Sequence, residues 1–152
     1  MTSSIGRRIL LLLPAAALLA RCAGAPEPAE LALSINAGPD QNPDPAGQPT
    51  AVAIRLYQLA SAATFARADV FALSEHEAAT LGTDGLGSEE IVVAPGESRV
   101  VRHPLKPGAQ ILGVVALFRD IDNAVWRAQA SLKPSGTTKL SLTTAGIKLA
   151  IT

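Results

Sequence analysis

The side chains in this sequence with the clearest chemical potential are one cysteine, two histidines and two pairs of acids. His76 and His103 have no Cys, Asp or Glu near both of them at a spacing that suits a metal ion. The residues after His76 also lack the second histidine of a His-Glu-x-x-His zinc motif. We therefore predict that both histidines lie at the surface and that the protein holds no metal.

The paired acids do not form a catalytic dyad. Glu89 and Glu90 are neighbours in a predicted strand, where successive side chains point to opposite faces. Asp120 and Asp122 belong to an Asp-Ile-Asp-Asn segment, which forms a polar turn more often than a cation site because short side chains bond their own backbone there. The sequence contains no Gly-x-Ser-x-Gly or P-loop motif. We predict neither an enzyme nor a cofactor.

The N-terminus has the layout of an export signal. Arg7 and Arg8 precede the apolar residues 9–20, a stretch whose helix would rise about 18 Å, short of the ~30 Å hydrocarbon core of a bilayer. We assign residues 1–21 to a signal peptide. A buried N-terminal helix is the alternative.

Cys22, the only cysteine, directly follows this signal and cannot form an intrachain disulfide. Residues 19–22 are similar to the lipobox of bacterial lipoproteins, in which the cysteine is acylated and becomes the new N-terminus. Arg21 stands where a lipobox has a small residue, and we expect it to impair cleavage. By the same resemblance, Ala23 favours sorting to the outer membrane, since it is not aspartate. We interpret residues 22–29 as a lipidated cysteine and an extended tether; a free cysteine beside an ordinary signal is the alternative.

Composition places the remaining residues, 30–152, in one globular domain. The chain of 152 residues is 48% hydrophobic and 17% charged, which permits a packed core. Without Arg7, Arg8 and Arg21, 10 basic residues face 13 acidic ones, a balance of −3. Nucleic-acid binders need clustered Lys and Arg, so this class of function is excluded.

The apolar pattern from residue 30 onward is mostly that of strands. Alternation in residues 31–35, 52–57, 126–132 and 140–151 predicts half-buried strands, and the apolar run 111–118 predicts a central strand covered on both faces. The turn at residues 95–97 predicts that the strands on either side of it pair. About seven or eight short strands predict a mainly β fold, a two-sheet β-sandwich.

The apolar period becomes helical between residues 61 and 81, which predicts one or two short helices inserted between strands and packed on the edge of the sandwich. Ser74 followed by Glu77 predicts a capping box, and Gly82 suits a helix C-terminus. Trp126 is expected in the core, where its truncation would cost ~3–5 kcal/mol.

One connection between predicted strands is long and rich in proline. Residues 37–50 contain four prolines and no apolar anchor, and loops of this length are usually functional or disordered. Prolines fix φ and so lower the entropy that a loop loses when it meets a partner. The pattern alone leaves a partner-binding loop and a solvated crossover equally supported.

Ordered blocks across the chain, taken together, resemble one protein family: residues 33–44 (LSINAGPDQNPD), 52–59 (VAIRLYQL), 65–73, 81–82, 95–97, 113–120 and 126–127. The family is that of the type VI secretion system outer-membrane lipoproteins, TssJ, SciN and VasD. The resemblance implies a transthyretin-like β-sandwich with added helices, anchored by lipid on the periplasmic face of the outer membrane.

The resemblance also implies a partner and a site. The family binds the C-terminal periplasmic region of the inner-membrane protein TssM, in an envelope-spanning complex that also contains TssL. In the family, the loop between the first two strands contributes to TssM binding. Here that role falls on Gly38, Pro39, Asp40, Gln41, Asn42, Pro43, Asp44, Pro45 and Gly47. We expect loss of this surface loop to weaken binding and to leave the domain folded.

Two other classes of function are the alternatives. A periplasmic carbohydrate- or peptidoglycan-binding sandwich would need exposed aromatic platforms, and the chain has one Trp, one Tyr and three Phe. A hydrolase similar to transthyretin-like enzymes would need a His and Arg constellation that His76 and His103 do not supply.

Overall fold

The computed structural model describes residues 24–152, and two four-stranded sheets form its centre. Sheet A contains β1 (Glu30–Ala37), β4 (Ser98–Pro104), β7 (Thr137–Ala145) and β8 (Lys148–Ile151), in the order β4-β1-β7-β8. Sheet B contains β2 (Val52–Leu59), β3 (Gly85–Val93), β5 (Ile111–Leu117) and β6 (Arg127–Ser131), in the order β3-β2-β5-β6. Neighbouring strands are antiparallel except β1 and β7. The predicted mainly β, two-sheet sandwich is confirmed.

The core lies between the sheets, because alternate residues of each strand point inward. The inward side chains of the first two strands are all buried: Leu31, Leu33 and Ile35 from β1, and Val52, Ile54 and Leu56 from β2. Burying an aliphatic side chain of this size stabilises the fold by about 1.5–3 kcal/mol. In β5, Val114 packs in this core while Val115 packs against the helices on the other face. The predicted central strand, covered on both faces, is therefore confirmed.

Three short helices, rather than the one or two predicted, follow β2: α1 (Ala63–Arg67), α2 (Val70–Glu75) and α3 (Glu77–Leu81), with a 3-10 turn at Gly82–Asp84. They cover the outer face of sheet B and not the edge of the sandwich, because their apolar side chains pack on its central strands. Their apolar side chains form a second cluster around Tyr57 and Phe65. The Tyr57 hydroxyl donates to Leu73 O at 3.0 Å, and burial raises the pKa of Tyr57. A Cβ at Gly113 would lie 2.8 Å from the Phe65 ring, so glycine is needed beneath the helices.

The predicted capping box is wrong, although Gly82 does end α3 with a φ of 53°. Ser74 lies inside α2, which begins instead after Asp69, whose carboxylate accepts from Ala72 N at 2.8 Å. Glu77 turns toward sheet B, and its Oε2 lies 3.4 Å from Arg55 Nη2. The Glu77 carboxylate thus pairs with Arg55, which is distant in sequence, and does not form the capping box predicted with Ser74.

The predicted pairing across residues 95–97 is also wrong. β3 pairs with β2 and β4 pairs with β1, so this turn carries the chain from one sheet to the other. Gly96 has a φ of 72°, and Glu97 Oε2 accepts from Ala94 N at 2.8 Å. A turn of this sequence can also close a hairpin, which is why the sequence alone misleads here. In the structure, Gly96 N donates to Gly38 O at 3.2 Å, so the turn bonds to the β1–β2 loop.

The strands run between two ends of the sandwich. The loop end is formed by residues 38–51, 94–97, 118–126 and 146–147, and the tether end by residues 24–29, 104–110 and 132–136. Within residues 24–152, no helix has the length and apolar character needed to cross a bilayer.

Candidate partner-binding loop

Residues 38–51 connect β1 in sheet A to β2 in sheet B and divide into a buried part and an exposed tip. Gln41 is 0% exposed and Asn42 is 5% exposed, whereas residues 45–49 are all exposed. The sequence showed no apolar anchor in this loop because its anchors are two amide side chains.

Gln41 fastens the loop to both sheets at once. Its Nε2 donates to Val93 O at 2.7 Å, at the end of β3, and its Oε1 accepts from Thr144 Oγ1 at 2.5 Å, in β7. Its backbone oxygen also accepts from Thr50 N at 3.1 Å. A buried amide with its partners in place holds one conformation, since any other would leave polar groups unpaired in the interior.

Asn42 fixes the turn that follows. Its φ of 47° is in the left-handed region, which Asn adopts more readily than most residues. Its Nδ2 donates to Ala51 O at 2.7 Å, and its Oδ1 accepts from Arg119 N at 2.8 Å. Asn42 N donates to Gly146 O at 2.8 Å. The residue thus ties the loop to two neighbouring turns of the loop end.

Gly38 begins the loop where no side chain fits. Its N donates to Thr144 O at 2.7 Å. A Cβ at this position would lie 2.6 Å from the same oxygen. Glycine is therefore required by close backbone approach rather than by a positive φ.

The tip is a compact turn built on Asp44. Its Oδ1 accepts from Ala46 N at 2.9 Å and from Gln48 N at 2.8 Å, an arrangement in which a short acid replaces a backbone acceptor. Asp44 N also donates to Gln48 O at 2.8 Å, and Gly47 has a φ of 80°. Hydrogen bonds therefore add to the proline stiffening that the sequence predicted.

The nine residues predicted for the site fall into three groups by exposure. Pro39, Asp40, Pro45 and Gly47 are exposed; Gly38, Pro43 and Asp44 are half-buried; Gln41 and Asn42 are buried. The buried pair holds the loop and cannot meet a partner from solvent. Three further exposed residues of the tip were left out of the predicted set: Ala46, Gln48 and Pro49. They lie inside the loop that the proline pattern marked.

The other chemically active side chains are placed apart from this loop. His76 is exposed, as predicted, but His103 is half-buried because it faces the open edge between β4 and β3. There its Nδ1 lies 3.1 Å from Glu89 Oε2. Glu90 Oε2 instead lies 3.6 Å from Arg55 Nε, so the two neighbouring acids diverge as predicted.

The polar turn after β5 is closed on itself. Both carboxylate oxygens of Asp120 accept from Asn123 Nδ2, at 2.9 and 3.1 Å. Across residues 24–152, no group of three or more His, Cys, Asp and Glu side chains is placed to hold a metal ion.

Aromatic side chains are mostly committed to packing. Tyr57, Phe65 and Phe118 are buried, and Phe71, 60% exposed, stands alone. Trp126 is half-buried rather than buried, because it packs at the margin of both clusters, with the Arg127 guanidinium 4.7 Å from its ring. Its truncation should therefore cost less than the ~3–5 kcal/mol expected of a core aromatic. The carbohydrate-binding alternative gains no support from this arrangement.

Cys22, Arg21 and the predicted signal peptide, residues 1–21, lie outside the described residues. Their roles stay predictions from the sequence.

Comparison with known proteins identifies the family. Residues 29–148 match the family described as Type VI secretion lipoprotein, VasD, EvfM, TssJ. The crystal structure of the T6SS lipoprotein TssJ1 from Pseudomonas aeruginosa is 34% identical, with a TM-score of 0.79 over 82% of this chain and 95% of that chain. No curated protein matches the sequence.

Two further solved structures are similar. A chain in a structure described as a type VI membrane complex is 30% identical, with a TM-score of 0.72 over 83% of this chain and 99% of that one. A chain in a structure described as the T6SS protein TssM C-terminal domain (869–1107) from EAEC is 29% identical, with a TM-score of 0.68 over 80% and 99%. Because the family match covers most of the chain and the TssJ1 structure shares its fold at 34% identity, this chain belongs to the type VI secretion lipoprotein family.

Proposed function

We propose that this lipoprotein anchors a type VI secretion membrane complex by binding the periplasmic C-terminal region of TssM. The exposed tip, residues 45–49, and the neighbouring Pro39 and Asp40 would form the contact. A lipid on Cys22 would hold the protein on the periplasmic face of the outer membrane. This role is one of binding and requires no catalysis.

The observation that carries the proposal is the rigid presentation of an exposed loop. Gln41 and Asn42 form four side-chain hydrogen bonds that fix the base of the loop, and the residues of the tip that follow are exposed. Ordering a flexible side chain on binding costs about 0.5–1.5 kcal/mol, so a loop ordered beforehand keeps more of its contact energy as affinity. A connection that served only to join two strands would not need such support.

One of the similar structures supports TssM as the partner. The TssM fragment named in its description, 869–1107, is longer than this chain of 152 residues. Yet 80% of this chain covers 99% of the matching chain. The matching chain is therefore too short to be that fragment, and we infer that it is a sandwich chain that accompanies TssM in the same structure.

Calorimetry with a periplasmic TssM fragment from the same genome tests the proposal. The double variant Ala46→Arg/Gln48→Arg changes only exposed side chains of the tip and leaves the backbone donors to Asp44 in place. We expect at least a tenfold loss of affinity, about 1.4 kcal/mol. The matched control Ala79→Arg/Gln129→Arg changes an exposed Ala and an exposed Gln away from the loop end. Equal affinity of the two variants would contradict the proposal.

Replacing the whole loop is a poor test of the same idea. The expectation that loop loss leaves the domain folded is not supported, because Gln41 and Asn42 are part of the interior. A Gly/Ser replacement of residues 38–47 would leave Val93 O and Arg119 N without their partners.

Acylation can be tested separately in cells. We expect Cys22→Ser to abolish incorporation of labelled palmitate and to release the protein from the membrane fraction. Because a lipobox has a small residue before its cysteine, we expect Arg21→Ala to raise the fraction of processed protein. Unchanged membrane attachment of the Cys22→Ser variant would contradict the lipid anchor.

A further inference from the structure

The tether is fastened to the sandwich well before it reaches Cys22. Ala29 O accepts from Leu105 N at 2.9 Å, and Glu27 O accepts from Gly136 N at 3.4 Å. Glu30 N donates to Gly136 O at 3.0 Å. Only residues 22–26 are left to link the lipid to the folded domain.

This free length limits how far the tether end can lie from the membrane. Five residues span at most about 18 Å when fully extended. The eight residues of β1 alone extend about 27 Å between the two ends of the sandwich. With Cys22 acylated, the tether end therefore stays near the bilayer surface, whereas the loop end is free to point into the periplasm.

The tether end has a surface suited to that position. A groove of about 820 Å³ lies between residues 27–29 and the turns at 104–111 and 131–134. Leu105 and Ile111 line it, together with four exposed prolines: Pro28, Pro104, Pro107 and Pro134. Proline has no backbone N–H, so its approach to lipid desolvates fewer donors than that of other residues.

Basic side chains frame the same groove. Lys106 lines it and Lys133 lies between two lining residues; both are exposed. Neither lysine forms an ion pair with an acid of residues 24–152, whereas the nearby Arg102 is paired with Glu30 at 3.3 Å. Glu27 is the one acid among the lining residues, so the two ammonium groups leave a net positive charge at the groove. This charge beside an apolar surface complements the phosphates and glycerol region of anionic phospholipids.

We propose that the tether end is a lipid-contact surface, on which Lys106 and Lys133 bind anionic phospholipid headgroups and the proline-lined groove rests at the headgroup level. The contact would hold the domain upright on its short tether and direct the loop end away from the membrane. The proposal rests on the lipid anchor proposed at Cys22 and adds an orientation to it.

The test uses the mature chain, residues 22–152, in which Cys22 is the only thiol. Coupling Cys22 to a maleimide lipid in vesicles supplies the anchor chemically, so the result does not depend on processing in cells. Hydrogen exchange is then compared between vesicles with and without phosphatidylglycerol. We expect slower exchange in residues 104–110 and 132–136 on phosphatidylglycerol vesicles, and unchanged exchange in residues 38–50.

Charge reversal sharpens the test. Because one basic residue near an anionic surface changes attachment by about fivefold, Lys106→Glu/Lys133→Glu should lower flotation of the uncoupled Cys22→Ser chain with phosphatidylglycerol vesicles by at least tenfold. The control Lys139→Glu/Lys148→Glu reverses two exposed lysines away from the groove and should change flotation far less.

Equal effects of the two charge reversals, or equal exchange with and without phosphatidylglycerol, would overturn the proposal. Protection of residues 38–50 on the vesicles would overturn the orientation. The TssM experiment is done in solution without vesicles, so a failure of either proposal is distinguishable from a failure of the other.

Discussion

The two ends of the sandwich are held together by different kinds of interaction. At the loop end, Gln41 and Asn42 insert buried amide groups that bond to both sheets and to two neighbouring turns. At the tether end, a few backbone bonds attach residues 27–30 beside a groove rich in proline. The first arrangement fixes the loop at several points along its backbone, whereas the second leaves a surface rich in proline and poor in backbone donors.

The difference matches two kinds of contact. Recognition of one protein partner depends on a defined shape, and buried polar networks specify shape because each unpaired group is costly. Contact with a lipid surface needs apolar area and positive charge more than a defined shape. The following predictions weaken one end at a time, from the largest expected effect to the smallest.

Asn42→Ala should be the most damaging single change at the loop end. It leaves Ala51 O and Arg119 N unpaired and places Ala at a positive φ, for a total loss of about 3 kcal/mol of unfolding free energy. Urea denaturation measures it. Asn42→Gly loses the same hydrogen bonds without the strain, and it should be less destabilised by about 1 kcal/mol. A loss under 1 kcal/mol for Asn42→Ala would show that the network is not what holds the loop.

Gln41→Ala should cost about 2 kcal/mol, because Val93 O and the Thr144 hydroxyl lose their partner in the interior. A double-mutant cycle with Thr144→Val isolates the hydrogen bond between the Thr144 hydroxyl and Gln41 Oε1. Additive losses in that cycle would contradict a direct interaction. Since the loop loses the side-chain bonds that Gln41 makes to both sheets, binding to TssM should weaken although no exposed side chain of the tip has changed.

Tyr57→Phe is a control that lowers stability without changing a residue at the loop end or the tether end of the sandwich. It removes the bond to Leu73 O and should cost about 1 kcal/mol without affecting TssM binding. Burial raises the pKa of Tyr57 above its ordinary value of 10.0, so the unfolded chain releases this proton first. The contribution of the protonated Tyr57 hydroxyl to the free energy of unfolding is therefore complete below pH 10 and is lost as the pH rises further. The difference from Tyr57→Phe should therefore shrink above pH 10, and a constant difference would argue against a buried, protonated hydroxyl.

Deletion of residues 24–28 from the soluble domain should have the smallest effect. It removes one long bond, Gly136 N to Glu27 O at 3.4 Å, and mostly exposed side chains, so we expect a loss under about 0.5 kcal/mol. Thermal unfolding by circular dichroism measures it. A loss as large as that of Gln41→Ala would mean that the tether end is fastened as firmly as the loop end.

Much of the fold could be predicted from the sequence because it is recorded in local patterns. Alternation marked β1 and β2, the apolar run marked β5, and the change of period marked the helices. The turn at residues 95–97 was misread because Pro-Gly-Glu closes a hairpin and an arch equally well. The predicted capping box at Ser74 is absent because the Glu77 carboxylate binds Arg55 and Ser88 on sheet B, which are distant from it in the chain.

The loop could be located from its prolines and from the family resemblance, but its construction could not. Gln41 bonds to residues 52 and 103 positions away, and no local pattern records contacts at such a distance. A polar residue in a polar loop gives no sign that it is buried. The division of the loop into a buried part that holds it and an exposed tip therefore depends on contacts that only the three-dimensional structure shows.

The most direct test of this account is a hydrogen-exchange footprint of residues 24–152 with and without the periplasmic TssM fragment in solution. We predict added protection in residues 44–50 and in the neighbouring turns of the loop end, and none in residues 104–110 and 132–136. Residues 41 and 42 should already be protected in the free protein. Protection confined to the tether end, or to the open face of sheet A, would contradict the claim that the loop end is the surface that meets TssM.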